Sequence, residues 1–247
     1  MGIDLQLDSI ETTLHHRELI RRKTFLRRIY DEHYRFFTSE LQSAPAGVTI
    51  ELGSGGGFIK EVIPEAVTSD VVAVPEVDLV GSALELPFRD NVLRAILMIN
   101  VFHHLADVQM LLNEATRCLK PGGLLLMVEP ANTPFARFIY RHFHHEPFLP
   151  EQSSWVLGAG GRLSHANGAL PWIVFSRDRP LFETRYPKLA IEKLSSFLPF
   201  RYLMSGGVSK PQLAPSFAYP VIHRLEKILT PWFDYLGMFM QVVVRKR

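Results

Sequence analysis

Apolar and polar positions along the chain change period several times, and each change marks an element. From Ile10 to Leu41 there is no proline or glycine, and Leu14, Leu19, Phe25, Leu26, Ile29, Phe36 and Phe37 recur at three- and four-residue spacings. That pattern predicts a helical N-terminal stretch, closed by Gln42 to Gly47. Short β-branched or continuously apolar runs follow at residues 48–52, 66–72, 77–80, 92–99 and 124–130, and read as strands. Between the first two, residues 58–63 predict a short helix cut by Pro64. Only Ala73 to Glu76 separates the second and third, too few residues for an ordinary crossover helix. Before the fifth, Met110, Leu111, Leu112, Ala115 and Leu119 mark a helix that Asp107 caps and Lys120-Pro121-Gly122-Gly123 ends. Downstream, residues 133–143 and 179–185 predict helices, 189–194 a strand, 217–229 a helix and 238–244 a last strand. The stretch around Trp155, Gly158, Gly160, Gly161, His165, Gly168 and Trp172 reads as an inserted loop region.

Helices alternating with short strands predict an α/β fold: a Rossmann-like, doubly wound, mostly parallel sheet with ligand at the carboxyl ends of its strands. Those ends are Glu51, Asp70, Ser82, Asn100 and Glu129. The first strand runs into Glu51-Leu52-Gly53-Ser54-Gly55-Gly56-Gly57-Phe58, a glycine turn of the kind that exposes backbone N–H groups to a nucleotide-like ligand. A dinucleotide fingerprint needs a third small residue where Phe58 stands, and a phosphate-binding P-loop needs Lys-Ser or Lys-Thr where Lys60-Glu61 stands. What remains is an acid followed by alternating glycines: Glu51, Gly53, Gly55 and Gly57.

In that form the turn resembles the first motif of the class I S-adenosylmethionine-dependent methyltransferases. Two further segments carry the resemblance. Gly81-Ser82-Ala83-Leu84-Glu85-Leu86-Pro87-Phe88 is similar to the family's D-A-x-x-L-P-F segment, with Ser82 in place of the acid that contacts adenine. Asn100-Val101-Phe102-His103-His104-Leu105, and then L-K-P-G-G-x-L from Leu119, match the fourth-strand region and the approach to the fifth strand of the family's small-molecule members. The resemblance is specific over residues 48–130. It implies a seven-stranded sheet whose antiparallel last strand slots between the fifth and sixth. It implies S-adenosyl-L-methionine as cofactor, with Glu51, Gly53, Ser54, Gly55, Gly57, Ser82, Ala83, Leu84, Asn100 and Val101 around it. Asp70, 17 positions after Gly53 by number, is placed to accept from the ribose hydroxyls, with Asp78 as rival. By the same analogy residues 1–44 form a lid over the cofactor, with Tyr30 and Tyr34 facing it. Residues 45–130 are then the cofactor-binding core of a single domain, 131–178 a substrate-side insertion, and 179–247 the completion of the sheet.

Composition narrows the partners. Twenty-seven Lys and Arg against 25 Asp and Glu leave no field for nucleic acid, and the one cysteine, Cys118, fits a reducing, cytoplasmic setting without disulfides. The basic residues Arg17, Arg21, Arg22, Lys23, Arg27 and Arg28 suit either a solvated helix face or weak contact with a membrane surface. A small or medium acceptor is expected, with a hydroxyl favoured, and a histidine is the natural base at neutral pH. His103 or His104 comes first, then His144 or His145. His142, His144, His145 and Glu146 crowd together, but no second ligand cluster accompanies them in the sequence, so no metal is expected. An NAD-binding oxidoreductase and a cofactor-binding regulatory or scaffold protein without turnover remain as alternatives.

Overall fold

The computed structural model describes residues 9–157 and 165–247; the expectations for Gly158, Gly160 and Gly161 lie outside the described residues. The N-terminal stretch is two helices rather than one: α1 (Ile10–Arg22) and α2 (Thr24–Leu41). Lys23 between them is extended, and its Nζ donates to the carbonyls of Gly207 and Lys210, which draws the chain aside at that residue. Ser9 caps α1, its hydroxyl accepting from Thr12 N at 3.2 Å. The inner face of α2, Phe25, Leu26, Ile29, Tyr34 and Phe37, is buried.

Seven strands form one sheet: β1 (Val48–Leu52), β2 (Val67–Asp70), β3 (Leu79–Val80), β4 (Leu93–Ile99), β5 (Leu119–Pro130), β6 (Leu189–Phe197) and β7 (Phe239–Lys246). Their order is β3-β2-β1-β4-β5-β7-β6, and β7 is antiparallel to both neighbours, as the resemblance implied. The order reverses between β1 and β4, the switch point at which open α/β sheets bind their ligands. β4 and the inner part of β5 are apolar on both faces, with Ala95, Ile96, Leu97, Leu124, Leu125 and Leu126 fully buried, because helices cover both sides.

Two expectations for the crossovers change. The helix expected at 58–63 is only a 3₁₀ turn, Ile59–Glu61, after a first 3₁₀ turn at Ser54–Gly56. Pro64 leaves too few residues for an α-helix. The third strand shrinks to two residues, since Asp78 accepts from the N–H and the hydroxyl of Thr68 and pins the chain before β3. As expected, no helix joins β2 to β3. In place of the missing crossover helices α1 lies on the glycine turn: Arg17 Nε donates to Gly55 O at 2.8 Å, and its other nitrogens to Glu76 and Pro75 O.

The rest of the chain packs around β5 and β7. The α3 helix (Val108–Cys118) starts at Asp107 and buries Cys118. α4 (Pro134–Phe143) starts at Thr133, whose hydroxyl accepts from Ala136 N at 3.1 Å. The end of the expected loop is helical instead: α5 (Leu170–Trp172) and a π-helical turn, Ile173–Arg177, lead to α6 (Arg179–Arg185). Leu170, Ile173, Val174 and Phe175 are all buried there, so apolar periodicity won over the neighbouring glycines. α7 (Arg201–Ser205), α8 (Tyr219–Ile228) and α9 (Phe233–Leu236) complete the layer. Arg201 ties α7 to α8 and α2 through Glu226 and Glu32, with the Tyr219 hydroxyl at 2.7 Å from both Arg201 and Glu32.

Candidate active site

A cavity of about 190 Å³ opens at the carboxyl ends of the central strands. Gly53, Gly56, Asp70 and Asn100 line one side. His103, His104, His144, His145 and Glu146 line the other. Tyr30, His33 and Tyr202 close the space between them, with Thr13 and His16 of α1 at the rim. The four histidines proposed from the sequence thus meet around one cavity, although two follow β4 and two follow α4.

On the glycine-turn side, Gly53 takes a left-handed conformation (φ 67°), and a Cβ there would meet a Val101 methyl at 2.5 Å. Gly57 faces Tyr34: a Cβ would lie 2.3 Å from the phenolic oxygen, which accepts from Phe58 N at 3.1 Å. Tyr34 is therefore a buried strut of the turn rather than a lid residue, whereas Tyr30 does border the cavity. Ser54 also serves the turn, its hydroxyl donating to Glu51 O and accepting from Ser69 N. Glu51 is 2% exposed, and its Oε2 has no hydrogen-bond partner in the protein. Burial pushes its carboxyl up to about 7, against the opposing pull of the Ser54 and Tyr34 hydroxyls.

Asp70 ends β2 with Oδ2 accepting from Gly55 N at 3.2 Å and Oδ1 from Val72 N at 3.2 Å. Asp78, its rival, is spent on Lys60 and Thr68, at the far side of β2. Asn100 holds a positive φ of 56°, a strained geometry for a residue other than glycine, and sits in the cavity wall. Ser82, Ala83 and Leu84 follow β3 but do not line the cavity; the Ser82 hydroxyl accepts from Leu84 N.

The opposite wall is built on Glu129, the last acid of β5 and fully buried. Its Oε1 accepts from Val101 N and Phe102 N at 2.9 and 2.8 Å, fixing the turn after β4. Its Oε2 accepts from His103 Nδ1 at 2.6 Å. The other ring nitrogen, Nε2, lies 3.4 Å from Glu146 Oε2, and His104 Nε2 lies 3.6 Å from Glu146 Oε1. Burial alone would depress His103, but the two carboxylates override it and push the imidazole up to about 10. His104, buried beside that cation, is held down at about 3. Burial opposes ionisation of Glu146, yet the neighbouring His103 imidazole, with its charge, holds it down at about 2. His144 and His145 stack at the mouth, 3.8 and 3.7 Å from the same carboxylate.

Glu129 and Glu146 are the residues to which sequence reasoning gave no role. Glu129 was visible as a strand end facing the crevice, and Glu146 as an acid among histidines; only the fold joins them through His103. Trp155 and Trp172, placed near the substrate by the sequence, do not line the cavity. The Trp155 indole donates to Asp178 at 2.8 Å and anchors the inserted segment.

A glycine turn at the switch point, an acid at the end of β1, another at the end of β2 and an antiparallel β7 beside β5 define a class. The fold is that of the class I S-adenosylmethionine-dependent methyltransferases. Residues 50–127 match the family model described as a methyltransferase domain. A demethylmenaquinone methyltransferase from Symbiobacterium thermophilum is 36% identical over 125 residues, 48% of this chain and 47% of that protein. The chain thus spans about half the length of the curated relative it matches. A geranyl diphosphate C-methyltransferase of Streptomyces coelicolor, solved with Mg2+, geranyl diphosphate and S-adenosyl-L-homocysteine, superposes with a TM-score of 0.55. That likeness covers 94% of this chain and 83% of the other at 15% identity. A Haloferax volcanii methyltransferase in complex with the activator Trm112 gives a TM-score of 0.51, with 94% and 98% covered at 15% identity. At such identities the superpositions speak for the fold alone.

Proposed function

We propose that the protein transfers the sulfonium methyl group of S-adenosylmethionine to a hydroxyl of a hydrophobic or lipid-linked acceptor, a glycan precursor among them. The observation that carries this reading is the two-sided cavity, with a glycine turn and the buried Asp70 on one wall and a histidine–carboxylate cluster on the other. Glu51 balances the positive end of the cofactor, and Asp70 accepts from its ribose. The acceptor oxygen lies toward His103, His104 and Glu146, and its proton passes to solvent by way of His145 as the O–CH3 bond forms. The S–CH3 bond breaks with its electron pair remaining on sulfur, leaving neutral S-adenosylhomocysteine. Rate comes chiefly from holding oxygen, methyl carbon and sulfur in line.

A surface feature supports the lipid-linked acceptor. Phe217, Val221, Leu225, Ile228, Trp232 and Tyr235 form an exposed apolar ridge along α8 and α9, with Phe217 81% and Ile228 73% exposed. Arg224 and Lys227 are exposed on the same helix, and its one acid, Glu226, is buried on Arg201. Aromatic and aliphatic side chains beside unopposed cations suit an anionic membrane surface. The sequence had offered the basic N-terminal stretch for that contact, but Arg17, Lys23 and Arg27 bind partners within the protein. No helix among the described residues is long and apolar enough to cross a membrane.

The test is incubation with methyl-labelled S-adenosylmethionine and a panel of polyprenol-linked sugars, free sugars and quinones. Label recovered as a methyl ether supports the reading. Label on a ring carbon of a quinone would favour a second reading, suggested by the relative named a demethylmenaquinone methyltransferase. Binding of NAD in place of S-adenosylmethionine, measured by calorimetry, would refute both.

A further inference from the structure

The geometry between β4, β5 and the segment after α4 points to a metal site: we propose that His103 Nε2, His104 Nε2 and the Glu146 carboxylate bind one divalent transition-metal cation of the zinc type. The three ligand atoms lie within 4.8 Å of one another. The separations from imidazole nitrogen to carboxylate oxygen, 3.4 and 3.6 Å, are long for hydrogen bonds but fit ligands that share an ion. With bonds of about 2.1 Å, neighbouring ligands of a tetrahedral zinc stand about 3.4 Å apart.

Outer contacts favour the same assignment. His103 donates from Nδ1 to Glu129 at 2.6 Å, and His104 Nδ1 faces the His165 carbonyl at 3.4 Å. Each imidazole is thereby held with Nε2 turned toward Glu146, the carboxylate-or-carbonyl arrangement that accompanies histidine ligands. Glu129 is itself fixed by two backbone N–H groups, so the inner ring is preorganised. Two imidazoles and one carboxylate suit zinc, cobalt or manganese; magnesium demands oxygen ligands and is disfavoured.

Three protein ligands leave a coordination position open toward the cavity. Resting on the oxygen-acceptor reading, the consequence is that an acceptor hydroxyl bound there loses its proton to solvent through half-exposed His145. Its oxygen then takes the methyl group, with the S–C electron pair staying on sulfur.

The test is calorimetric titration of chelator-treated full-length protein with Zn2+, Mn2+ and Mg2+, joined to the visible spectrum of the Co2+ form. One equivalent of Zn2+ is expected, with Mg2+ silent, and absorption bands of a four- or five-coordinate Co2+. His104→Ala and Glu146→Gln should each weaken Zn2+ binding by more than tenfold, and Glu129→Gln by roughly 10–100-fold. Thermal melting and S-adenosylmethionine titration of each variant confirm that it is folded. Failure of the wild-type protein to bind stoichiometric Zn2+ overturns the proposal, as does Zn2+ binding undiminished in the His104→Ala, Glu146→Gln double variant. Failure of metal-free wild-type protein to bind S-adenosylmethionine would instead count against the methyltransferase reading, so the two are separable.

Discussion

The sharpest consequence of the structure concerns Glu51. With its carboxyl pushed up to about 7 by burial and one oxygen unpartnered, Glu51 in the empty protein is largely protonated at pH 6 and largely ionised at pH 8. If the ionised form is the one that receives the positive end of S-adenosylmethionine, binding couples to loss of one proton. At pH 6 about a tenth of the sites are then ready, so the dissociation constant should be about tenfold weaker than at pH 8. The same displacement has a stability cost. The folded state holds this proton more tightly than the unfolded chain, whose carboxyl titrates near 4.5, so the cost is absent below that pH. It grows as pH rises from 4.5 to 7 and then levels off, at about 3 kcal/mol in the ligand-free protein. Glu51→Gln removes both effects: its melting temperature at pH 8 should rise by several degrees while its cofactor affinity falls and loses its pH dependence. Calorimetry in two buffers of different ionisation enthalpy at pH 6.5 counts the proton released. An S-adenosylmethionine affinity with the same pH slope in wild type and Glu51→Gln would refute the reasoning.

Other residues give separate handles. Asp70→Ala should weaken S-adenosylmethionine binding by about tenfold through loss of charge-assisted hydrogen bonds to the ribose, and unchanged affinity by calorimetry would move that role elsewhere. Glu226→Ala leaves the 5%-exposed Arg201 guanidinium without one of its two carboxylates and should cost about 3–5 kcal/mol in urea unfolding. Loss of less than 1 kcal/mol would mean that Glu32 and Tyr219 suffice. Phe217→Ser with Ile228→Ser should abolish co-sedimentation with vesicles containing phosphatidylserine while leaving the melting temperature unchanged. Retained vesicle binding would argue against α8 as the contact, and a change of oligomeric state in its place would assign the ridge to a second copy of the chain.

What could be read from the chain alone follows from the range of the forces involved. The sheet was legible because continuous apolar runs such as 95–99 and 124–128 need burial on both faces whatever surrounds them. Even the slot for β7 followed from family likeness once five strands were placed. Local context defeated the reading in several places. Lys23 breaks a faultless helical pattern because its ammonium finds two carbonyls nearly two hundred residues away in sequence. Residues 170–177 turn helical because their apolar side chains reach the core, a fact invisible beside Gly168 and Pro171. Tyr34, spaced one turn from Tyr30 as if to share a lid, instead occupies the volume that Gly57 leaves vacant. The site divides in the same way. Its glycine-turn wall rests on a local motif, and Glu51, Gly53 and Asp70 stand at or just beyond strand ends that any reading of period and turn would find. Its other wall depends on Glu146 arriving from beyond α4 to meet His103 and His104, a pairing set by the packing of Phe148 and Tyr140 (ring centroids 5.1 Å apart) rather than by any spacing. A sequence that shows two histidines after β4 and an acid more than forty residues later contains the ligands of a metal but not their meeting. That is why the chemistry of the acceptor side had to wait for the fold.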